Sequence, residues 1–459
     1  MKLKIKENIL NIKKYEISER ASFKGDKWDL LDWNESSFGT CDAIKDDIQR
    51  HIFGKDLSEY PDVLCKELKQ ELEKYTKVPE KNIEVYNGSD EALRDIFTVF
   101  VDNNTKVLTY QPSYTQVDTF IKTNTTKYKK EQIRDPLSQH VYDFEICKNF
   151  DVVYLVNPNN PTGKIIQIEK IKELLLKNPH TLFIIDEAYY EYSGITCSEL
   201  VLDHDNIIVT RTFSKAFGLA SLRIGYILSS SKILSFLRKI KNFKSVGTLA
   251  QVGAASCLRN LDFFNFCIEQ IRKNRDFLFN EINKIKGFKA VESRANFILV
   301  KTPNSDLVIE EFKKNNILIR DRSKMKNLKN CVRITIPSYE KSQALLDIMK
   351  KIAFIGLGKL GLPLASVLAS VDNRVLCLDK NEHILNLLSN DVLPFYEPGL
   401  DELMSEVKHN IIGYTDSYRK AVETTDAAII LVNTQLGDDG YSSDFVEAAV
   451  SDIAINLKL

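Results

Sequence analysis

Between residues 81 and 260, short runs rich in apolar and β-branched residues alternate with stretches of helical periodicity. No other feature of the sequence limits the fold as much. The runs are Val107-Leu108-Thr109-Tyr110, Val152-Val153-Tyr154-Leu155-Val156, Leu182-Phe183-Ile184-Ile185-Asp186 and Ile207-Ile208-Val209-Thr210. Short buried strands separated by helices predict an α/β domain built on a mostly parallel sheet. Ligand groups gather at the carboxyl ends of strands in such sheets, and the chemistry-bearing residues follow the runs closely. Asn157-Pro158-Asn159-Asn160-Pro161-Thr162-Gly163 trails the second run, and Asp186-Glu187-Ala188-Tyr189 closes the third. Thr210 through Ser214-Lys215-Ala216-Phe217-Gly218-Leu219 follows the fourth, with Leu222-Arg223-Ile224-Gly225-Tyr226 soon after. Each segment alone reads as a turn, a helix cap or a solvated surface. Their ordered combination specifies a site.

Composition bounds the rest. With 459 residues, 44% hydrophobic and 27% charged, the chain suits a globular protein of two or three domains. A net charge of zero leaves no electrostatic footprint for nucleic acid or an anionic membrane surface. The longest apolar runs, such as Ala427–Val432, are too short to span a bilayer, and Met1–Lys6 has no apolar block behind it. A cytoplasmic location is expected. Eight cysteines without metal-type spacing and six unclustered histidines predict reduced, mostly buried thiols and no metal centre.

The zero balance conceals a seam. Residues 351–459 carry 8 Lys and Arg against 16 Asp and Glu, whereas residues 1–350 carry 55 against 47. Gln343–Lys350 reads as an amphipathic closing helix and runs directly into the apolar strand Lys351–Ile355, with no Gly/Ser/Pro linker between. Met349-Lys350-Lys351-Ile352 would serve well as a protein's first residues, so a fusion of two neighbouring reading frames is the expected origin.

Taken together, the motifs of residues 10–350 resemble the fold-type I pyridoxal-phosphate enzymes of aminotransferase class I/II, most closely the histidinol-phosphate aminotransferase branch. Besides the segments above, the resemblance rests on Asn34-Glu35, Tyr60-Pro61-Asp62, Gly88-Ser89-Asp90-Glu91, Pro112-Ser113-Tyr114, Ser293-Arg294-Ala295-Asn296-Phe297 and Val332-Arg333-Ile334-Thr335-Ile336. It implies a large α/β domain at about 41–260 and a small one from about 1–40 and 261–350 that closes on substrate. It also implies Lys215 as the Schiff-base lysine and proton carrier, with Asp186 pairing with the pyridinium nitrogen. Asn160 and Tyr189 would bond the phenolic oxygen, and Tyr114 would stack on the ring. The phosphate would be held by Gly88, Ser89 and Asp90 at a helix start, with Thr212, Ser214 and Arg223. Tyr60 would reach over from a second subunit, making the active protein a homodimer. Arg333 would clamp a substrate carboxylate, Arg320 would make a second anion contact, and Asn34 would also serve the substrate. The expected reaction passes an amino group between an amino acid or phosphorylated amine and a 2-oxo acid. A phospho-amino-acid decarboxylase is the alternative, because the two reactions share this cradle.

Departures from the branch bear on substrate rather than cofactor. Tyr15 is followed by Glu16-Ile17-Ser18 where the branch has Tyr-x-Pro-Gly, and Ser36-Ser37 follows Asn34-Glu35 in place of Asn-Pro. Ser221 replaces a customary glycine, and Pro337 stands where glycine is usual.

The tail carries Gly356-x-Gly358-x-x-Gly361 after a strand and before a helix, and a second strand, Arg374–Leu378, ending in Asp379. That context is the dinucleotide-binding arrangement. With Pro394–Leu400, Thr415-Asp416 and Val432-Asn433-Thr434, residues 351–459 resemble the N-terminal domain of UDP-glucose/GDP-mannose dehydrogenases, although Gln435 stands where that family prefers proline. The resemblance implies a partial Rossmann-type domain whose NAD affinity is expected to be weak or vestigial, without independent dehydrogenase activity. The rival reading is a bifunctional protein whose tail has an NAD-binding role of the UDP-sugar dehydrogenase type.

Overall fold

Six apolar segments are buried on both faces, and each forms a strand: β1 (Ile83–Tyr86), β2 (Val107–Gln111), β4 (Val152–Val156), β5 (Leu182–Asp186), β6 (Ile207–Thr212) and β7 (Gly225–Ser229). The half-exposed β3 (Tyr128–Gln132) completes a seven-stranded sheet in the order β1-β7-β6-β5-β4-β2-β3. Only β7 runs against its neighbours; the other pairs are parallel. The architecture comes from a computed structural model. It describes residues 5, 7–10, 12, 28–55, 57–371, 373–408, 410–434, 436–437 and 440–457. The Tyr15–Ser18 departure and Gln435 lie outside these residues.

Strand alternation sends successive side chains to opposite faces, so the sheet feeds two cores. Val153, Leu155, Phe183, Ile185, Ile207 and Val209 pack on one side, and Val152, Tyr154, Val156, Ile184 and Ile208 on the other. The expected helix after Gly88 is present as Ser89–Phe100, which buries Ala92, Leu93, Ile96 and Phe97. A second, antiparallel sheet has the order β10-β11-β9-β8, formed by β8 (Lys289–Val291), β9 (Phe297–Lys301), β10 (Arg320–Asp321) and β11 (Cys331–Thr335).

By packing, the chain divides into two compact units. The first comprises Met1–Phe279 with Lys289–Ser338, and the second Asn280–Phe288 with Tyr339–Leu459. The helix Tyr339–Met349 thus falls in the second unit. There a parallel sheet in the order β14-β13-β12-β15 joins β12 (Lys351–Ile355), β13 (Arg374–Leu378), β14 (Ile411–Thr415) and β15 (Ala427–Ile430). Phe354, Val375 and Cys377 face one core, and Ala353, Ile355, Leu376 and Leu378 the other. Asp426 ties this unit to its own outlying segment: its carboxylate accepts the backbone N–H groups of Lys286 and Lys351, both at 2.9 Å. All eight cysteines are free thiols, and seven are buried.

Candidate active site

Sheet direction brings the motif residues to one edge. The strands β1, β2, β4, β5 and β6 all end there, and the reversed β7 begins there. The edge therefore collects Gly88-Ser89-Asp90 after β1, Tyr114 after β2, Asn160 after β4, Asp186 at the end of β5, Thr212 through Lys215 at the end of β6, and Arg223 just before β7.

One end of this edge suits an anion. The helix Ser89–Phe100 starts at Gly88 without a side-chain cap, which leaves first-turn N–H groups open. Bare backbone is required around it. A Cβ at Gly88, where φ is +80°, would lie 2.9 Å from Arg223 Nη2, and one at Gly225 would lie 2.7 Å from Ser89 N. The Arg223 guanidinium donates to Asp90 at 3.3 Å, and the Tyr114 hydroxyl donates to the same carboxylate at 2.9 Å. Thr212 and Ser214 are buried and tied together by an N–H···O bond of 3.1 Å.

The middle of the edge suits a cation. Asp186 is buried, and its carboxylate accepts from the Tyr154 hydroxyl at 2.6 Å and from Ala188 N–H at 3.2 Å. Burial pushes its carboxyl up to about 6 despite these donors, and the nearby Asp90 charge adds to the rise. A buried carboxylate met by neutral donors fits a protonated ring nitrogen. With the anion cradle beside it, the residues match pyridoxal phosphate. Lys215 Nζ donates to Trp33 O at 2.7 Å and lies 5.9 Å from the centroid of the Tyr189 ring.

Tyr189 is the hub of the third region. Its hydroxyl oxygen accepts from Asn34 Nδ2 at 3.0 Å and from Asn160 Nδ2 at 3.3 Å. Arg333, 3% exposed, donates through Nη1 to Asn160 Oδ1 at 2.7 Å and through Nη2 to Asp32 O. Arg320 stands directly opposite Arg333 in the β10–β11 register. Tyr60 stands apart: it is 75% exposed, with the Lys244 ammonium 4.1 Å from its ring centroid.

In the second unit, Gly356 has φ +98°, and a Cβ there would lie 2.1 Å from Leu431 O. A Cβ at Gly361 would lie 1.9 Å from Gly356 O, whereas Gly358 faces open space. Asp379 accepts Leu357 N–H at 2.6 Å, which draws the acid toward the glycine turn. These residues fit the adenosine-side elements of a dinucleotide.

Several participants escaped the sequence reading. Tyr154 carries a signal by parity: Val156 pairs with Asp186, so Tyr154, two residues earlier, shares its face. Glu187 and Arg211 form a fully buried ion pair at 3.0 Å, one residue beyond Asp186 and one before Thr212. Both residues lie inside segments that the sequence singles out, but nothing in the sequence pairs them.

The sequence profile of aminotransferase class I and II matches residues 27–348, and that of the UDP-glucose/GDP-mannose dehydrogenase family NAD binding domain matches residues 350–458. The chain belongs to the class I and II aminotransferases, which makes it a pyridoxal-phosphate-dependent enzyme of the histidinol-phosphate aminotransferase-like kind. It is 33% identical to a histidinol-phosphate aminotransferase of Thermoanaerobacter pseudethanolicus over 352 residues, which cover 76% of this chain and 98% of the relative. A dihydroxyacetone phosphate transaminase of Campylobacter jejuni is 35% identical over 317 residues, 67% of this chain and 85% of the relative. Among solved structures, the histidinol-phosphate aminotransferase of Sinorhizobium meliloti in complex with pyridoxal-5'-phosphate aligns with a TM-score of 0.66 at 24% identity, covering 74% of this chain and 95% of that one. An L-threonine-O-3-phosphate decarboxylase of Porphyromonas gingivalis aligns at 0.62 and 23%, covering 70% and 98%. These two likenesses are of fold. No described helix is long and apolar enough to cross a membrane.

Proposed function

We propose that the chain transfers an amino group between a doubly anionic amino compound, an amino acid or a phosphorylated amine, and a 2-oxo acid such as 2-oxoglutarate. The observation that carries the substrate class is the pairing of Arg320 with Arg333 across β10 and β11. Like charges directly opposite on a sheet repel, and anions bound between or beside them relieve the repulsion. The phosphorylated substrates named for the Campylobacter and Thermoanaerobacter relatives support the same class.

When bound, pyridoxal phosphate supplies the electron sink that acidifies the substrate's Cα proton. In this reading the Ser89 and Asp90 N–H groups, Thr212, Ser214 and Arg223 hold its phosphate, and Asp186 holds its ring nitrogen. Tyr114 covers the ring, while Asn160 and Tyr189 hold its phenolic oxygen. Lys215 anchors the cofactor and carries the proton from the substrate's Cα. Arg333 and Arg320 orient the anionic ends. Tyr60 serves the neighbouring site of a homodimer, a role supported by its exposure together with Phe53, Leu57, Val63 and Leu64. NAD binds only weakly, through the glycine turn and Asp379. The cytoplasm is the proposed location.

The test is a donor screen of the purified protein that follows conversion of 2-oxoglutarate to glutamate. Phosphorylated amines and dicarboxylic amino acids are expected to outperform monoanionic ones. Carbon dioxide release without need of an oxo acid would instead establish the decarboxylase.

A further inference from the structure

We infer that Asn34 is a positioning residue that acts through Tyr189, and that Thr335 holds it in place. This rests on the reading above, in which Tyr189 meets the phenolic oxygen of the cofactor. The sequence motif suggested a substrate contact for Asn34, but the geometry turns its amide to protein. Asn34 is 1% exposed. Its Nδ2 donates to the Tyr189 hydroxyl oxygen, and its Oδ1 lies 3.3 Å from Thr335 Oγ1.

The backbone is shaped for this. Asn34 has φ +57°, the left-handed region that asparagine tolerates better than most side chains. Three hydrogen bonds that involve Thr335 and Asn296 keep it there. Asn34 N–H donates to Thr335 Oγ1 at 3.1 Å, that hydroxyl donates to Leu31 O at 2.8 Å, and Asn296 Nδ2 donates to Asn34 O at 3.0 Å.

The consequence falls on the tyrosine. A phenolic oxygen has one proton to give and about two acceptor sites. Asn34 and Asn160 occupy the acceptor side together, so the proton is directed away from both amides, toward whatever group Tyr189 serves. The two amides are held differently: Asn160 by Arg333, a group expected to meet substrate, and Asn34 by Thr335, with Asn296 fixing its backbone. Asn34 therefore keeps the hydroxyl aimed when the Arg333 contacts change during substrate binding.

The test is a pH titration of the bound cofactor's absorbance in the loaded enzyme. A hydrogen bond given to an anionic oxygen favours its deprotonated form, so losing that bond raises the midpoint. Tyr189→Phe and Asn34→Gly should each raise it by about one pH unit. The double variant should move no further than Tyr189→Phe alone, because the amide acts only through the hydroxyl. Glycine is chosen because it keeps the left-handed backbone. Thr335→Val should shift the midpoint in the same direction, and Thr335→Ser should restore it.

An unmoved midpoint in Asn34→Gly, with a raised KM for the amino substrate, would overturn the inference in favour of direct substrate contact. Shifts that add in the double variant would overturn it too. If Tyr189→Phe alone leaves the midpoint unmoved, the cofactor assignment of Tyr189 falls and takes the inference with it.

Discussion

Burial makes Asp186 a titrating group in a useful range. Its carboxyl rises to about 6 because desolvation outweighs the Tyr154 and Ala188 hydrogen bonds. The folded value lies above the ordinary one of about 4, so in the cofactor-free protein the contribution to stability is full below about pH 4 and is lost as pH rises through 6. Cofactor binding runs the other way, because a ring N–H⁺ needs the carboxylate. Affinity for pyridoxal phosphate should therefore tighten as pH rises from 5 to 7, by up to about tenfold per pH unit below 6. Equilibrium titration of the apoprotein at several pH values measures this, and Asp186→Asn should abolish the Asp186 part of the trend while slowing turnover by roughly 10²-fold. A wild-type pH trend in that variant would mean that another group pairs with the ring. Lys215→Ala should lose both the yellow colour and nearly all turnover, since no other lysine belongs to the motif set on this edge. Retained colour and turnover, read by absorbance and the glutamate assay, would refute the assignment.

The site stands on strand ends, and the ends of β5 and β6 are locked from behind. Arg211 donates to Glu187 at 3.0 Å, and its guanidinium carbon lies 3.6 Å from the Tyr190 ring centroid. Glu187 also accepts Cys197 N–H at 2.5 Å and the Thr196 hydroxyl at 2.7 Å. Three of these residues neighbour a site residue in sequence: Glu187 follows Asp186, Tyr190 follows Tyr189, and Arg211 precedes Thr212. Arg211→Met would strand a buried carboxylate and should cost about 3–5 kcal/mol in denaturant unfolding. Adding Glu187→Leu should recover a good part of that, and no recovery would show that the pair does more than satisfy itself. The elements themselves were legible, because apolar runs of strand length carry their own signal. The gathering of Asp186, Lys215 and Arg223 at one edge was legible because each follows an apolar run closely, whereas their expected roles came only from the family resemblance. Tyr154 was not, since its partner depends on which strands pair and in what register. Nor was the partner of Asn34, because the hydroxyl that holds it lies 301 positions away. The Arg320–Arg333 opposition hangs on a two-residue strand too short to leave a pattern.

Tyr60 and the tail both reach beyond a single site. If Tyr60 serves a partner's site, mixing Lys215→Ala with Tyr60→Phe protein should regenerate one intact site per heterodimer and raise activity above that of either parent. A fully active monomer in sedimentation would contradict the shared site. The second prediction concerns the tail. Every residue proposed for aminotransfer falls in Met1–Phe279 or Lys289–Ser338, outside the unit that holds the glycine turn. Deleting 351–459 should therefore leave aminotransfer intact. It also removes Asp426, which caps the Lys286 N–H, and strips Asn280–Phe288 and the helix Tyr339–Met349 of the rest of their compact unit, so the thermal midpoint should fall while aminotransfer persists. For NAD, the proposed adenosine side is Gly356, Gly358, Gly361 and Asp379. On the other side of β12, however, β15 is an edge among the described strands, with Ala427, Ala428 and Ile429 exposed. A nicotinamide ring would find no covered apolar wall there among the described residues, and an exposed strand edge of this kind also favours association. Calorimetry should accordingly give a dissociation constant for NAD no tighter than about 1 mM, with no NAD-linked oxidation of UDP-glucose. The truncated protein should also stay soluble at higher concentration than the full chain. Micromolar NAD binding, or loss of aminotransfer on truncation, would assign the tail a working role.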